Sequence, residues 1–266
     1  MSNMWNVFRA ELTKLRRPSL SISTIVAVAF VTGLVTSLLF LLVDSPEGNG
    51  ERGVRIGRDV LALASGASLS FSNAAGLLGI VALCIFAAQT AQEYTYGTLR
   101  NLLVRQPSRM KILIGKLVSM MIFALVMIVV SATISIATSV ILAPTVDVST
   151  ELWFSSAGIE FIYTTFINVT ISVVGFGIVG MVLGLLLRSP ISAISFGVLW
   201  LLIVENLLVA VKNSTQTWLP GSQLTIIASG GNAEVTYTHA LATGGAYVAV
   251  GALIASILFV RRDVAN

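Results

Sequence analysis

Residues 92–116 read QEYTYGTLRNLLVRQPSRMKILIGK, a polar and basic stretch set between two long apolar runs. It is too polar to lie in lipid and too patterned to be a plain linker. After Gly97 and Thr98, residues Leu99, Leu102 and Leu103 recur at helical spacing, with Arg100, Asn101 and Arg105 on other faces, which predicts a short amphipathic helix. Pro107 stops it, and Ser108 stands where it can cap a following helix whose first turn carries Arg109 and Lys111. The stretch therefore reads as helix, break, helix at a membrane surface. Five cations (Arg100, Arg105, Arg109, Lys111 and Lys116) against the single acid Glu93 place that surface on the cytoplasmic side.

Composition explains why the flanking runs are read as spans. Hydrophobic residues make up 56% of the chain and charged ones 11%, with a mean hydropathy of +0.92. Soluble domains do not reach such values. The net charge of +4 and pI near 9.5 do not argue for nucleic acid. The cations sit in blocks beside apolar runs, which is how the positive-inside bias raises a pI. The lone Cys84 lies inside an apolar run, so neither a disulfide framework nor a cysteine metal cluster is expected.

Read outward from that stretch, the chain is an all-α, polytopic membrane protein forming a single transmembrane domain, 1–266. Residues 1–18 predict an amphipathic interfacial helix, with Met4, Trp5, Phe8, Leu12 and Leu15 on one stripe and Arg9, Lys14 and Arg16 around it. Trp5 would sit at headgroup level and the basic face toward anionic lipid. The run 20–43 is long enough to span and lacks a cleavage pattern, so it reads as a signal anchor. Residues 44–70 form an outer loop with turn signals and a weak short helix over 54–67, and 71–90 is the second span. The polar segment 93–111 follows. The third span, 112–142, exceeds the length the hydrocarbon core needs and ends before Pro144. A short acidic outer loop leads to the fourth span, 159–187, and Arg188, Ser189 and Pro190 make a minimal inner turn into the fifth, 191–211. Residues 212–239 are too polar for lipid and too apolar for a loop, so they predict an outer re-entrant segment broken at Pro220 and at Gly230–Gly231. The sixth span is 240–260. Of the 16 Lys and Arg, all but Arg52, Arg55, Arg58 and Lys212 then fall on the side of both termini, which makes that side cytoplasmic.

As an ordered set, Glu93, Gly97, Thr98, Leu99, Arg100, Leu102, Leu103, Pro107, Ser108, Arg109, Gly115 and Lys116 resemble the permease subunits of type 2 ATP-binding-cassette (ABC) exporters. Leu219 and Pro220, before the last span, resemble a Leu-Pro pair common in that family. The resemblance implies that the segment from Glu93 through Arg105 to Arg109 is a cytoplasmic coupling helix pressed against a separate ABC ATPase subunit. It also implies a second permease subunit, identical or not, facing this one in the plasma membrane. No cofactor is expected in this chain, since ATP and magnesium would be held by the ATPase, and the chain itself is expected to be no enzyme. The implied function is ATP-driven export of an amphipathic substrate such as a drug, an antibiotic peptide or a lipid-like molecule.

Other motifs carry less. Gly175, Gly177 and Gly180 spell GxGxxG, but no strand precedes them; with Gly184 they are better read as a surface that lets another helix approach closely. No GxxxxGK[ST] phosphate loop occurs. Asn168 and Asn213 open NxT triplets that read as chance, and nothing spaced from His239 supplies the base and orienting group a nucleophile needs. Glu160 and Glu205 fall near outer span ends, where an acid is expected to reach water. The alternative is an ion- or proton-coupled secondary transporter, which should show internal repeats or ion-binding groups at mid-membrane. No repeat is evident.

Overall fold

The computed structural model describes residues 4–43, 57–98, 102, 104 and 108–261. Among them the protein is helical throughout, without a strand. Helix α1 is Met4–Leu15, α2 is Pro18–Leu41, α3 is the single turn Arg58–Leu61, α4 is Gly66–Thr95 and α5 is Arg109–Leu142. Then come α6, Ser156–Leu187, and α7, Pro190–Val211, followed by α8, Pro220–Ser229, and α9, Tyr237–Arg261. Six of these, α2, α4, α5, α6, α7 and α9, are long and apolar enough to cross a membrane.

Local chemistry sets the ends. Pro18 and Pro190 start α2 and α7 in first-turn positions where the missing N–H costs nothing. Ser155 Oγ accepts from Gly158 N at 3.2 Å and Ser189 Oγ from Ser192 N at 3.4 Å, capping α6 and α7. Arg188, between them, adopts a left-handed φ of 55° that reverses the chain in two residues. Ser108 occupies the N-cap of α5, but its side chain makes no capping bond. Helix α4 begins five residues before the expected span, because Ala67, Ser68 and Ser70 are small enough to be buried against neighbouring elements despite their modest hydropathy.

At the centre, α4 and α6 pack backbone against backbone. A Cβ on Gly180 would lie 2.2 Å from Leu83 O, one on Gly184 2.8 Å from Ala87 O, and one on Gly177 2.7 Å from the Phe86 ring. Of the glycine surface read in the sequence, Gly177, Gly180 and Gly184 thus belong to this pair, while Gly175 faces Leu224 of α8. Without a hydrophobic drive between helices in lipid, such close approach supplies the dispersion contacts that hold a span pair together. Helix α2 joins α5 differently. Thr32 Oγ1 lies 2.8 Å from Ser131 Oγ and Thr36 Oγ1 3.2 Å from Ser135 Oγ, and Ser139 Oγ donates to Ser70 Oγ at 3.3 Å.

The two ends of the bundle differ. At the end remote from α1, which we call the far end, Trp153 is fully buried and donates from Nε1 to Leu61 O at 2.8 Å, with Phe40 edge-on at 6.5 Å. Helix α8 also lies there, between the expected breaks, and ends at Gly230 and Gly231 with φ of 78° and 108°. It packs on α6 and α9 through buried Leu224, Ile226, Ile227 and Ala228. Helix α7 is not one regular α-helix. Its middle, Trp200–Val204, is a π turn, of the kind found at functional sites.

Candidate functional site

At the α1 end, α1, the last turn of α4 and the second turn of α5 bring four charged side chains into one ring. Lys116, 2% exposed, donates to Glu11 Oε2 at 2.8 Å and to Gln89 O at 3.1 Å, and its ammonium forms an ion pair with Glu93 Oε1 at 2.9 Å. Lys14 donates to Glu11 Oε1 at 2.5 Å and to Glu93 Oε1 at 3.2 Å. Each lysine therefore bridges both carboxylates, and the ring is neutral. Glu11 and Glu93 are also buried, and Lys14, its side chain 37% exposed, is the ring's opening to the surface.

The ring forms because α1 lies close on α5. Gly115 has no room for a Cβ, which would stand 2.9 Å from Val7 Cγ1, and Ser119 Oγ reaches Phe8 O at 3.2 Å and Gly115 O at 2.7 Å. Val7, Glu11 and Leu15, spaced by four, make the buried face of α1. The apolar residues expected on one stripe divide. Leu15 turns into the core, while Trp5 is 62% exposed and Phe8 and Leu12 are half-buried beside it. The Trp5–Phe8 ring pair, 5.1 Å apart, sits on the outer side. In a membrane-surface helix the apolar side can face lipid, so the face turned to the protein can be charged when the protein offers counter-charges.

Electrostatics keep both α1 groups ionised. Burial opposes the Glu11 charge, but Lys116 and then Lys14 outweigh it and hold the carboxyl below its ordinary value. For Lys14 burial works the other way and is again outweighed, by Glu11 and then Glu93, so the ammonium is held above its ordinary value. A neutral buried ring of this sort adds little net stability over an apolar packing of the same volume, but removing one member is costly.

The other residues singled out in the sequence are distributed as follows. Gly97 follows the end of α4 with φ of 64°, the left-handed stop that frees the chain from the helix, and its N–H donates to Tyr94 O at 3.3 Å. Thr98 borders a cleft of about 280 Å³ that Lys14, Arg17, Gln89 and Glu93 also line. Leu102 is half-buried. Arg109 donates to Phe259 O at 2.9 Å, tying the start of α5 to the end of α9. Leu99, Arg100, Leu103, Arg105 and Pro107 lie outside the described residues, so the Leu99–Leu102–Leu103 face is not brought together here. Glu11 was missed by the sequence reading. Its signals were the acid three residues before Lys14 and a lysine, Lys116, placed after the apolar residues 112–114 and directly before Leu117 and Val118 of a span.

A third buried acid stands at the far end. Glu205 is 4% exposed, contrary to the expectation of water access, because α8 folds over it. Its Oε1 accepts from Trp200 Nε1 and Gly221 N, both at 2.9 Å, and its Oε2 from Ser222 N at 2.8 Å and Ser222 Oγ at 3.2 Å. The carboxylate thus caps the N-terminus of α8, where unpaired amides and the helix dipole favour an anion. Glu160 is exposed, and Asn168 is buried and accepts from Tyr237 Oη at 3.0 Å.

Among curated proteins none matches this chain. A family model described as protein of unknown function (DUF2705) matches residues 54–265, which takes in Glu93, Lys116 and Glu205 and leaves out α1 and α2. That match covers most of the sequence, and the chain belongs to the DUF2705 family.

Proposed function

We propose that this chain is the permease subunit of an ATP-driven exporter resembling type 2 ABC exporters. It moves an amphipathic substrate out across the cytoplasmic membrane, with both termini on the cytoplasmic side and a second permease subunit facing it. The chain supplies no phosphate loop, so ATP and magnesium belong to a partner ABC ATPase. The observation that carries the reading is the ion ring. Its members Glu93 and Lys116 stand on α4 and α5, immediately either side of residues 97–108, and Glu11 and Lys14 lock α1 onto both. A push on the segment is therefore delivered to three helices as one body, and through the α4–α6 glycine contact to the centre of the bundle. An ion-coupled mechanism would need an ionisable group free at mid-membrane. Among the described residues the buried ones, Glu11, Glu93, Lys116 and Glu205, are all bonded and lie toward helix ends.

The test is a reconstituted complex with an ABC ATPase, with assembly, hydrolysis and efflux measured on the same preparations. The permease alone hydrolyses no ATP. Leu102→Asp loses the ATPase in a pulldown, because a charge enters a desolvated contact. Glu93→Gln keeps assembly but lowers efflux per ATP hydrolysed. Wild-type assembly and wild-type efflux in both variants would refute the proposal.

A further inference from the structure

Two hollows adjoin where α4, α6, α7 and α8 meet at the far end. The larger, about 490 Å³, carries amides and hydroxyls, among them Asn73, Asn206, Gln216, Ser222 and Thr225, interleaved with apolar side chains such as Leu77, Ile80 and Leu202. The smaller, about 240 Å³, is walled by Leu83, Val179, Leu183, Phe196, Trp200 and Leu224. Phe176, Leu201 and Gly221 line both, so the two hollows share part of their wall, the larger as a polar limb and the smaller as an apolar limb. Its size falls in the ordinary range of small-molecule sites.

The polar limb has a definite character. Its one ionisable wall residue is Glu205, whose two oxygens are already taken by four donors, so it offers no free charge. Asn73 donates from Nδ2 to Leu69 O at 2.9 Å, and Asn206 donates from Nδ2 to Leu201 O at 3.1 Å and Leu202 O at 3.0 Å. Their amide oxygens remain as acceptors. Both residues are exposed on span helices, so these acceptors are open to a polar ligand in the hollow. The π turn at Trp200–Val204 brings Trp200 to the apolar limb while its Nε1 holds Glu205.

We infer that this space binds one amphiphile, with an uncharged head rich in hydroxyls or amides in the polar limb and an alkyl tail in the apolar limb. If that amphiphile is cargo, its role rests on the permease reading; its binding does not, and the test needs no ATPase. The full chain in lipid nanodiscs is given an alkyl maltoside bearing a photoreactive diazirine in its tail. Labelling saturates and maps by mass spectrometry to peptides holding Leu183 and Phe196. Unlabelled alkyl maltoside of the same chain length competes about tenfold better than the phosphocholine or trimethylammonium analogue, the discrimination expected when the wrong head leaves one or more hydrogen-bonding groups unpaired. Asn73→Leu with Asn206→Leu, both at exposed positions, weakens that competition about tenfold, and Val179→Phe reduces labelling by filling the tail limb. Equal competition by all three heads, or labelling that never saturates, would overturn the inference, since a lipid-facing crevice takes whatever the bilayer supplies. So would protection from labelling together with a disulfide between Asn73→Cys copies in a Cys84→Ser background, which would mean that a second chain covers the space.

Discussion

Lys116→Met removes the cation on which the α1 end is built. The methionine keeps most of the side chain's length and apolar contact, so the change isolates the ammonium. Two donated bonds, to Glu11 and to the Gln89 carbonyl, are lost together with the ion pair to Glu93. Glu11 and Glu93 then share only Lys14, and one negative charge is left without a partner in a buried site. Truncating one member of a buried ion pair costs about 3–5 kcal/mol, and the 2% exposure of Lys116 leaves water little access to soften it. Unfolding in mixed micelles, followed by circular dichroism against the denaturing detergent fraction, reads this directly. The partner variant Glu93→Gln, combined with Lys116→Met, restores neutrality with the Glu11–Lys14 pair intact. The double variant is therefore more stable than the sum of the single losses predicts, by about 0.5–3 kcal/mol. A Lys116→Met protein within about 0.5 kcal/mol of wild type, the range of an ordinary surface change, would show that the ring is not a unit. So would strict additivity.

Four other perturbations follow from the same geometry. Because the Glu11 carboxyl is held below its ordinary value of 4.5, its contribution to docking α1 is present above that pH and fades as pH falls through the lowered value; protease access to α1 therefore stays low at neutral pH and rises only in strong acid. The Lys14 contribution has the opposite sense, present below 10.5 and lost as pH climbs through its raised value. Gly180→Ala forces α4 and α6 apart against Leu83 O and costs about 1–3 kcal/mol or more, whereas Gly245→Ala, with nothing within 4 Å of the added Cβ, is neutral within about 0.5 kcal/mol in the same unfolding assay. Glu205→Gln turns an amide NH₂ toward the α8 amides, costs about 1–3 kcal/mol, and speeds hydrogen exchange across Pro220–Ser229. In a Cys84→Ser background, Ser214→Cys reacts with an impermeant thiol reagent on intact cells and Gln106→Cys does not; the reverse pattern would invert the proposed topology.

How far the chain could be read in advance depended on what each signal measures. Span number follows from hydropathy, which dominates any helix that faces lipid, and so α2, α7 and α9 were plain. The start of α4 was not, since Ala67, Ser68 and Ser70 are buried by size and position rather than by apolarity. The apolar stripe of α1 is legible in the sequence, but its charged inner face is not. Apolar residues mark the inside of a soluble protein, but at a membrane surface they can mark the outside, and the inward Glu11 is intelligible only once Lys116 is known to stand opposite. Glu205 was placed correctly along its span but assigned to water, because nothing local to it announces that residues 220–229 fold back over it. The π turn left no trace in Trp200–Val204, whose uniform apolar composition suits either helical pitch. By contrast, Gly175 to Gly184 were legible as a close-approach surface because a missing Cβ means the same thing in any solvent.

The hydroxyl contacts between α2 and α5 have a mechanical side. Thr32 and Thr36 are four residues apart, as are Ser131, Ser135 and Ser139, and the two helices run in the same direction, so the pairs form rungs at a common spacing. A slide of α2 by one turn, about 5.4 Å, would bring Thr32 to Ser135 and Thr36 to Ser139, which now donates to Ser70. The same number of rungs would close in the new register. Each such bond between membrane helices is worth only about 0.6 kcal/mol, so the rungs select the register of α2 on α5 while adding little to the work of separating the two helices.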